Sequence, residues 1–290
     1  MDDPLSGMDD HQRAARSFGA VAEAYDRGRP SYPREAVAWL TSDQPLTVLE
    51  LGAGTGKLTE QLVALGHDVH ATEPDPAMLA ILKERLPAVR ASEGSAEEIA
   101  GADSMYDVVI AGQCFHWFDH DRALPEIARV LKPGGRIALV WNIRDERIPW
   151  VRRLGRIIGT QEQDIDPGET LTRSLKFLYV ETQSFKHWQQ IDRDSIQDLV
   201  LSRSNIAVLD EESRAVKLEE LLAFYDDYGR GMDGMQLPYV TQCFRAKVIK
   251  SSRAETDPVQ ITSTEDARAD GGPADPPTDD DSGTLLIDFR

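Results

Sequence analysis

The sequence is poor in cysteine and in positive charge, and each shortage excludes a class of protein. Two of its 290 residues are cysteines, Cys114 and Cys243, which is too few for a framework of disulfides. We therefore expect free thiols in a reducing compartment. Lys and Arg number 32 against 50 Asp and Glu, which gives a formal charge of −18. Because such a chain repels phosphates and anionic lipid, neither a nucleic acid nor a membrane is an expected partner.

Long apolar runs and a basic leader are also missing. No run approaches the roughly 18 apolar residues that a membrane helix requires. The first ten residues carry acidic side chains where a secretory signal would carry basic ones. The expected compartment is the cytoplasm, and the apolar fraction of 41% is typical of a chain that folds around a sizeable core.

Composition and patterning divide the chain into a start, one domain and a tail. Residues 1–10 are predicted to be disordered, and residues 11–250 are predicted to form the domain. Residues 251–290 contain ten Asp and Glu against three Arg, together with many Pro, Gly, Ser and Thr. Because such a segment buries too little apolar surface to offset its ordering entropy, we expect an acidic disordered tail.

Within the domain, predicted strands and helices alternate, which favours a parallel sheet. Strands are predicted at 47–51, 68–72, 89–92, 106–111 and 136–141, with a turn at 133–135 before the last of them. Residues 142–235 are predicted to be a mainly helical cover on the substrate side. The alternating stretches 185–190 and 239–248 could pair as an antiparallel edge of the sheet.

A glycine-rich loop follows the first predicted strand, near the end of which stands the acidic residue Glu50. The loop contains three alternate glycines, Gly52, Gly54 and Gly56. Glycine permits positive φ and has no Cβ, so a ligand can approach the backbone closely. The spacing differs from a dinucleotide fingerprint, because Lys57 stands where the last glycine is required. It also differs from a phosphate-binding P-loop, because Leu58 follows Lys57 where Ser or Thr is required.

A second acidic residue ends the second predicted strand. Glu73 lies about 20 residues after Gly52, where a carboxylate in a doubly wound sheet accepts the hydroxyls of a ribose. Asp75 is close enough to compete for this role. Because of Pro74 and Pro76, the role of an acid at the start of the next helix fits Asp75 better than Glu73.

Together these residues resemble the class I S-adenosylmethionine-dependent methyltransferases over roughly residues 14–145. The resemblance implies a Rossmann-like α/β fold, with a seven-stranded and mostly parallel sheet, helices on both faces and an antiparallel last strand. It also implies S-adenosylmethionine as the cofactor and methyl transfer as the activity. The segments that carry the resemblance are Val48–Gly56, His70–Asp75, Gly94–Glu97, Asp107–Ala111 and Leu131–Arg136.

The resemblance also implies which residues bind the cofactor. At the adenine contact many relatives have Asp where Ser95 stands, and a serine accepts a hydrogen bond without the charge. The backbone of Ala96 could supply a second contact there. The candidate cofactor-binding residues are Tyr25, Arg29, Glu50, Gly52, Gly54, Gly56, Glu73, Ser95, Ala96 and Gln113.

Two segments, Phe18–Pro33 and Gln113–Phe118, resemble a subgroup that includes trans-aconitate-type carboxyl methyltransferases. This subgroup implies a small-molecule acceptor that is methylated at a carboxylate oxygen. His116 is the candidate catalytic residue, either as a base or as an orienting group, and the alternative is a hydrogen-bonded structural histidine. Tyr32 and Trp117 are the candidate substrate contacts, and no metal site is expected.

Two other functions remain open at this point. The first is methylation of RNA or protein, against which the acidic charge argues in the case of RNA. The second is a regulatory protein that binds the cofactor without turnover, because an intact glycine loop with Glu73 supports binding and does not require catalysis.

Overall fold

The computed structural model describes residues 22–159, 166–203, 206, 209–228 and 234–250. The predicted disordered start at 1–10 and the predicted acidic tail at 251–290 lie outside the described residues, and both stay predictions. In the described part of the chain, no helix is both long enough and apolar enough to cross a membrane. The same part contains no cluster of three or more His, Cys, Asp or Glu side chains that could hold a metal ion.

Among the described residues, seven strands form one sheet. They are β1 (Thr47–Leu51), β2 (Asp68–Thr72), β3 (Arg90–Ser92), β4 (Tyr106–Gly112), β5 (Leu131–Arg144), β6 (Glu181–Ile191) and β7 (Met235–Lys247). Their order in space is β3-β2-β1-β4-β5-β7-β6. The strands from β1 to β5 pair in parallel, and β7 is antiparallel to both β5 and β6. The predicted seven-stranded, mostly parallel sheet with an antiparallel last strand is confirmed.

Helices connect and cover these strands. They are α1 (Ala22–Gly28), α2 (Arg34–Leu40), α3 (Lys57–Ala64), α4 (Pro76–Arg85), α5 (His120–Val130), α6 (Pro149–Ile158), α7 (Pro167–Arg173), α8 (Ser195–Leu201), α9 (Glu211–Tyr228) and a short 3-10 helix over Phe115–Trp117. Asp-Pro pairs begin α4 and α7, because the aspartate accepts hydrogen bonds from backbone N–H groups of the first turn and proline suits the first helical position.

The central strands are buried on both faces, which explains their continuous apolar sequences. In β4, Val109 and Ala111 point to one face, where they pack with α5 side chains such as Ile127. Val108 and Ile110 point to the other face, where side chains of α2 and α3 cover them. Because successive side chains of a strand point to opposite faces, the single apolar run of β4 contributes to two cores.

The predicted turn at 133–135 is wrong, because these residues form a bulge inside β5. Tyr106 pairs with Leu131 and Val108 pairs with Arg136, so four residues of β5 stand opposite one residue of β4. Gly134 has a φ of 80° and accommodates this bulge. The strand accordingly begins at Leu131, five residues before the predicted start.

The segment 142–235 contributes the helices from α6 to α9 and also the edge strand β6. The predicted antiparallel pairing of this strand with the chain around 239–248 is confirmed, although residues 185–190 themselves lie opposite residues 236–241. The helices α6, α8 and α9 share an apolar cluster with β7, which contains Leu154, Leu199 and Phe224. This cluster fixes the cover to the antiparallel end of the sheet.

The N-terminal helix α1 is attached to α8 by close packing and by an ion pair. Gly28 lies so near the backbone of α8 that a Cβ on it would be 2.4 Å from the carbonyl carbon of Asp198. Arg27 donates two hydrogen bonds to the Asp198 carboxylate, at 2.9 and 3.0 Å. The carbonyl of Gly28 also accepts a hydrogen bond from Gln189 of β6.

We expect Gly28→Ala to destabilise the protein, because the added methyl group must displace backbone atoms of α8. Overpacking of this kind costs about 1–3 kcal/mol, which should lower the melting temperature by several degrees. Gly94→Ala is the matched control, since a Cβ there would meet only Thr72 at 3.4 Å, an ordinary contact. Equal melting temperatures for Gly28→Ala and the wild type would contradict the packing described here.

Candidate functional site

The three alternate glycines between β1 and α3 adopt the left-handed conformations that the sequence predicts. Their φ angles are 66° at Gly52, 57° at Gly54 and 89° at Gly56. A Cβ on Gly52 would lie 2.6 Å from the sulfur of Cys114, so this glycine allows the chain after β4 to approach the loop. A Cβ on Gly54 would meet only Met78 and Tyr25, both at 3.9 Å. The space beside Gly54 is therefore open to a ligand.

Glu50 lies beneath this loop and is almost completely buried. One of its carboxylate oxygens accepts a hydrogen bond of 2.6 Å from the hydroxyl of Thr59 in α3. Burial raises the pKa of Glu50 to about 8, although the Thr59 hydrogen bond acts in the opposite direction. Glu50 therefore supports the loop from the side of the core.

Glu73, at the end of β2, is hydrogen-bonded to the glycine loop. Its carboxylate accepts the N–H of Gly54 at 2.8 Å and the N–H of Asp75 at 2.9 Å. Burial raises the pKa of Glu73 to about 7, against the lowering effect of these two hydrogen bonds. Asp75 is instead the N-cap of α4, where it accepts hydrogen bonds from Ala77 and Met78. The two acidic residues that competed in the sequence thus have different positions, and Glu73 is the one in the site.

Arg85 of α4 links three elements around the loop, and no motif in the sequence indicated it. Its guanidinium donates to the carboxylate of Asp26 in α1 at 2.6 Å and to the carbonyl of Thr55 in the loop at 3.0 Å. It also pairs with Glu60 of α3 at 3.0 Å. Arg85 therefore holds α1 against the glycine loop.

Cys114 is a second contact of the loop that sequence analysis did not identify. Its thiol donates a hydrogen bond of 3.2 Å to the carbonyl of Leu51. Burial, together with the nearby carboxylates of Glu73 and Glu50, raises the pKa of Cys114. A neutral thiol thus fills the space that Gly52 leaves free.

The predicted residues Tyr25, Arg29 and Tyr32 differ in what they contact. Tyr25 approaches Gly54, and the guanidinium of Arg29 lies over its ring at 5.0 Å from the centroid. Tyr32 is packed in the core with its hydroxyl against Gly112. Of the predicted substrate contact, only this hydroxyl is therefore in a position to reach a ligand. Burial raises the pKa values of both tyrosines, which keeps them neutral at physiological pH.

Gln113 directly follows β4 and has a positive φ of 64°, which is uncommon for a residue with a side chain. Its backbone N–H donates to Val140 at 2.9 Å, and its side-chain amide donates to the carbonyl of Asn142 at 3.2 Å. Both partners belong to β5. This strained turn lies at the carboxyl edge of the parallel strands, where ligands bind in open α/β sheets.

The predicted adenine segment lies after β3. Ser95 is exposed and Ala96 is buried. The groups available to a ligand in this segment are therefore the hydroxyl of Ser95 and the backbone. The carboxylate of Glu97 accepts the N–H of Asp119 at 3.0 Å. This hydrogen bond connects the adenine segment with the start of α5.

The candidate catalytic residue lies in the 3-10 helix after β4. Phe115 anchors this helix in the core, where it packs against Trp141 and His120. His116 and Trp117 are half-buried, and their rings are 4.7 Å apart between centroids. The structure therefore places the two residues together beside the loop that follows β4.

Together these groups fit a cofactor that carries a positive charge and a ribose. The hydroxyl of Thr55 in the glycine loop is fully buried and has no hydrogen-bond partner among the described residues. The open space beside Gly54 adjoins the carboxylate of Glu73 and the ring of Tyr25. A carboxylate and an aromatic face both attract a cation.

Comparisons with known proteins identify the family of this chain. The family model described as a methyltransferase domain matches residues 49–139. An uncharacterized methyltransferase from Mycobacterium tuberculosis is 46% identical over 234 residues, which are 79% of this chain and 95% of that protein. A malonyl-(acyl-carrier protein) O-methyltransferase from Pectobacterium atrosepticum is 36% identical over 132 residues, which are 44% of this chain and 52% of that protein.

Among solved structures, a candidate type II methyltransferase from Anaeromyxobacter dehalogenans has the same fold. Its TM-score is 0.57 at 24% identity, and the match covers 76% of this chain and 97% of that chain. The strand order defines a Rossmann-like α/β fold, and the glycine loop lies at the carboxyl edge of its parallel strands. With its relatives, this chain belongs to the class I S-adenosylmethionine-dependent methyltransferases. The narrower likeness to trans-aconitate-type enzymes stays a prediction.

We expect the affinity for S-adenosylhomocysteine to rise with pH between about 5.5 and 7.5. The pKa of Glu73 is about 7 without ligand, and ribose hydroxyls that donate to its carboxylate favour the ionised form. Binding therefore releases a proton, and the dissociation constant should fall by up to about tenfold per pH unit below pH 7. Calorimetry at several pH values measures this slope.

Glu73→Gln should bind more weakly and should lose most of this pH dependence. Glu84→Gln is the control, because it removes an exposed carboxylate of α4 and should keep the wild-type slope. An unchanged slope in Glu73→Gln would show that another group titrates.

Proposed function

We propose that this protein transfers a methyl group from S-adenosylmethionine to an oxygen of a small-molecule acid. The observation that carries the cofactor assignment is the hydrogen bond from Gly54 to Glu73 beside an open space at Gly54. The carboxylate of Glu73, the backbone of Gly54 and the ring of Tyr25 border the same open space.

A small-molecule acceptor is supported by the way α1 closes the site. Arg27 and Arg29 attach this segment to α8, and Asp26 attaches it to Arg85 beside the loop. We infer that an acceptor enters between the glycine loop and the described helices of the segment 142–235. In addition, the net charge of −18 disfavours a nucleic acid as the acceptor.

An oxygen acceptor is supported by relatives and by the chemistry that the site needs. The partial relative from Pectobacterium atrosepticum is a malonyl-(acyl-carrier protein) O-methyltransferase, so its name specifies an oxygen acceptor. A carboxylate is ionised at neutral pH, so its methylation requires no general base. S-adenosylmethionine, when bound, would supply an electrophilic methyl group: the new C–O bond would form as the methyl–sulfur bond breaks, with its electron pair left on sulfur.

The residues of this chain would act mainly by positioning. Glu73 and the glycine loop would hold the ribose and the amino-acid part of the cofactor at the ends of β1 and β2. Gln113, fixed by Val140 and Asn142, would define the wall at the end of β4. His116 and Trp117 would orient the acceptor and exclude water. Correct alignment of the reacting atoms is worth several kcal/mol in such displacements.

Gly54→Val should abolish cofactor binding and turnover, because its side chain would fill the space beside the loop and a branched residue is strained at a φ of 57°. Calorimetry with S-adenosylmethionine and S-adenosylhomocysteine measures binding, and release of S-adenosylhomocysteine from a panel of small acids measures turnover. Gly66→Val is the control, since its φ of 88° is equally strained while no atom lies within 4 Å of its Cβ position. Tight binding of NAD by the wild type, with neither cofactor form bound, would refute the proposal.

His116→Ala should mainly weaken acceptor binding if the acceptor is a carboxylate, because no proton has to be removed. The Michaelis constant for the acid should then rise, with little change in the pH profile of turnover. A base with an ordinary histidine pKa would instead give activity that rises through about pH 6.5 and falls about 10²–10⁴-fold in the variant. That second result, with acceptor affinity unchanged, would favour a phenol or an amine as the acceptor.

A further inference from the structure

Helix α1 lies between the glycine loop and the cover helices, and its residues contact both. On the side of the loop, the ring of Tyr25 approaches Gly54. The carboxylate of Asp26 accepts a hydrogen bond of 2.6 Å from Arg85 of α4. The ammonium group of Lys57, at the start of α3, is 3.8 Å from the same carboxylate. Three elements of the cofactor site therefore hold this part of α1.

The end of α1 and the residue after it contact α8 instead. Arg27 donates two hydrogen bonds to the carboxylate of Asp198, at 2.9 and 3.0 Å. Gly28 packs so closely against the backbone of α8 that no side chain would fit between them. Arg29 donates to the hydroxyl and to the carbonyl of Ser202, both at 3.1 Å. Three consecutive residues thus fix this end of the helix to α8 and the turn after it.

One side chain of the sheet reinforces this attachment. Gln189 of β6 donates to the carbonyl of Gly28 at 2.9 Å, and its amide oxygen accepts the hydroxyl of Tyr239 at 3.1 Å. Tyr239 is buried in the apolar cluster that the cover helices share with β7. This row of hydrogen bonds therefore anchors the end of α1 to the same cluster as α8.

The two sets of contacts are linked because α1 is short and regular. A helix of seven residues is about 10 Å long, and its backbone hydrogen bonds make it move as one piece. In the described part of the chain, no hydrogen bond or ion pair joins α8 directly to the glycine loop. Helix α1 is therefore the polar connection between the two.

A ligand in the open space beside Gly54 would touch the loop and the ring of Tyr25 together. It would favour the position of α1 in which Asp26 pairs with Arg85, and the same position brings Arg27 to α8. Two sites that share one such element have a coupling free energy, which acts equally in both directions. Order at the loop and order at α8 should therefore increase together.

We propose that α1 couples occupation of the cofactor site to the position of α8, with Arg27 and Asp198 as the positioning residues of this coupling. The inference rests on the proposed function and deepens it, because α8 belongs to the helices beside which the acceptor enters. A bound cofactor thus completes the acceptor side of the site, and a bound acceptor in turn raises the affinity for the cofactor. Neither residue takes part in the transfer of the methyl group.

Hydrogen exchange of the full chain, followed by mass spectrometry with and without saturating S-adenosylhomocysteine, tests this coupling. In the wild type the ligand should slow exchange in the glycine loop and also, about fivefold or more, in α8. Arg27→Ala should keep the protection of the loop and lose most of the protection of α8. Asp198→Asn should give the same result, because it weakens the same ion pair from the other side.

Arg193→Ala is the matched control, because it removes an ion pair that leads from the turn before α8 to Asp226 of α9 instead of α1. Even where this variant speeds the exchange of α8 without ligand, S-adenosylhomocysteine should protect α8 as it does in the wild type. A loss of this protection in Arg193→Ala equal to that in Arg27→Ala would mean that any loosening of α8 has the same effect, and would overturn the proposal.

Protection of the loop with no change in α8 of the wild type would also overturn the proposal, as would full protection of α8 in Arg27→Ala. If Arg27→Ala melts well below the wild type, Asp198→Asn decides by the same comparison. Calorimetry separates these results from a failure of the proposed function. If S-adenosylhomocysteine does not bind the wild type, the proposed function is refuted and the coupling with it.

Discussion

The hydrogen bond from the N–H of Gly54 to the carboxylate of Glu73 is the contact on which the site depends. It joins the loop after β1 to the end of β2, and it is possible only because the loop adopts positive φ angles. The same carboxylate is buried and still has lone pairs available for a ligand. Two other residues stabilise the surroundings of this contact. Glu50 accepts a hydrogen bond from Thr59 on the core side of the loop, and Arg85 holds α1 against the loop.

The candidate cofactor site is rich in acidic groups. Glu50 and Glu73 lie beside the glycine loop, and burial raises the pKa values of both. The ring of Tyr25 approaches the same loop, and the guanidinium of Arg29 lies over that ring. A cationic cofactor would meet carboxyl groups and an aromatic face in this place.

Sequence patterns predicted the parallel strands well because each strand is buried on both faces and is bounded by turn residues. They failed at β5, where a bulge at Gly134 continues the strand through residues that are typical of a turn. The positions of Pro74 and Pro76 correctly predicted that Asp75 begins the next helix. The structure shows Asp75 as the helix cap and Glu73 as the acid that is hydrogen-bonded to the loop. Arg85 and Cys114 were not found, because an arginine in the last turn of a helix and a lone thiol have no local signature of a ligand site.

The sequence by itself determined the glycine loop, the acid at the end of β2 and the alternation of strands and helices, since all three depend on local spacing and backbone freedom. It also carried the family resemblance, which relies on the order of these motifs. Only the tertiary structure brought Arg85 of α4, Asp26 of α1 and the carbonyl of Thr55 together, because they lie on three elements that are separate in the chain. The position of α1 also depends on its attachment to α8, and such long-range contacts leave no periodic trace in the sequence.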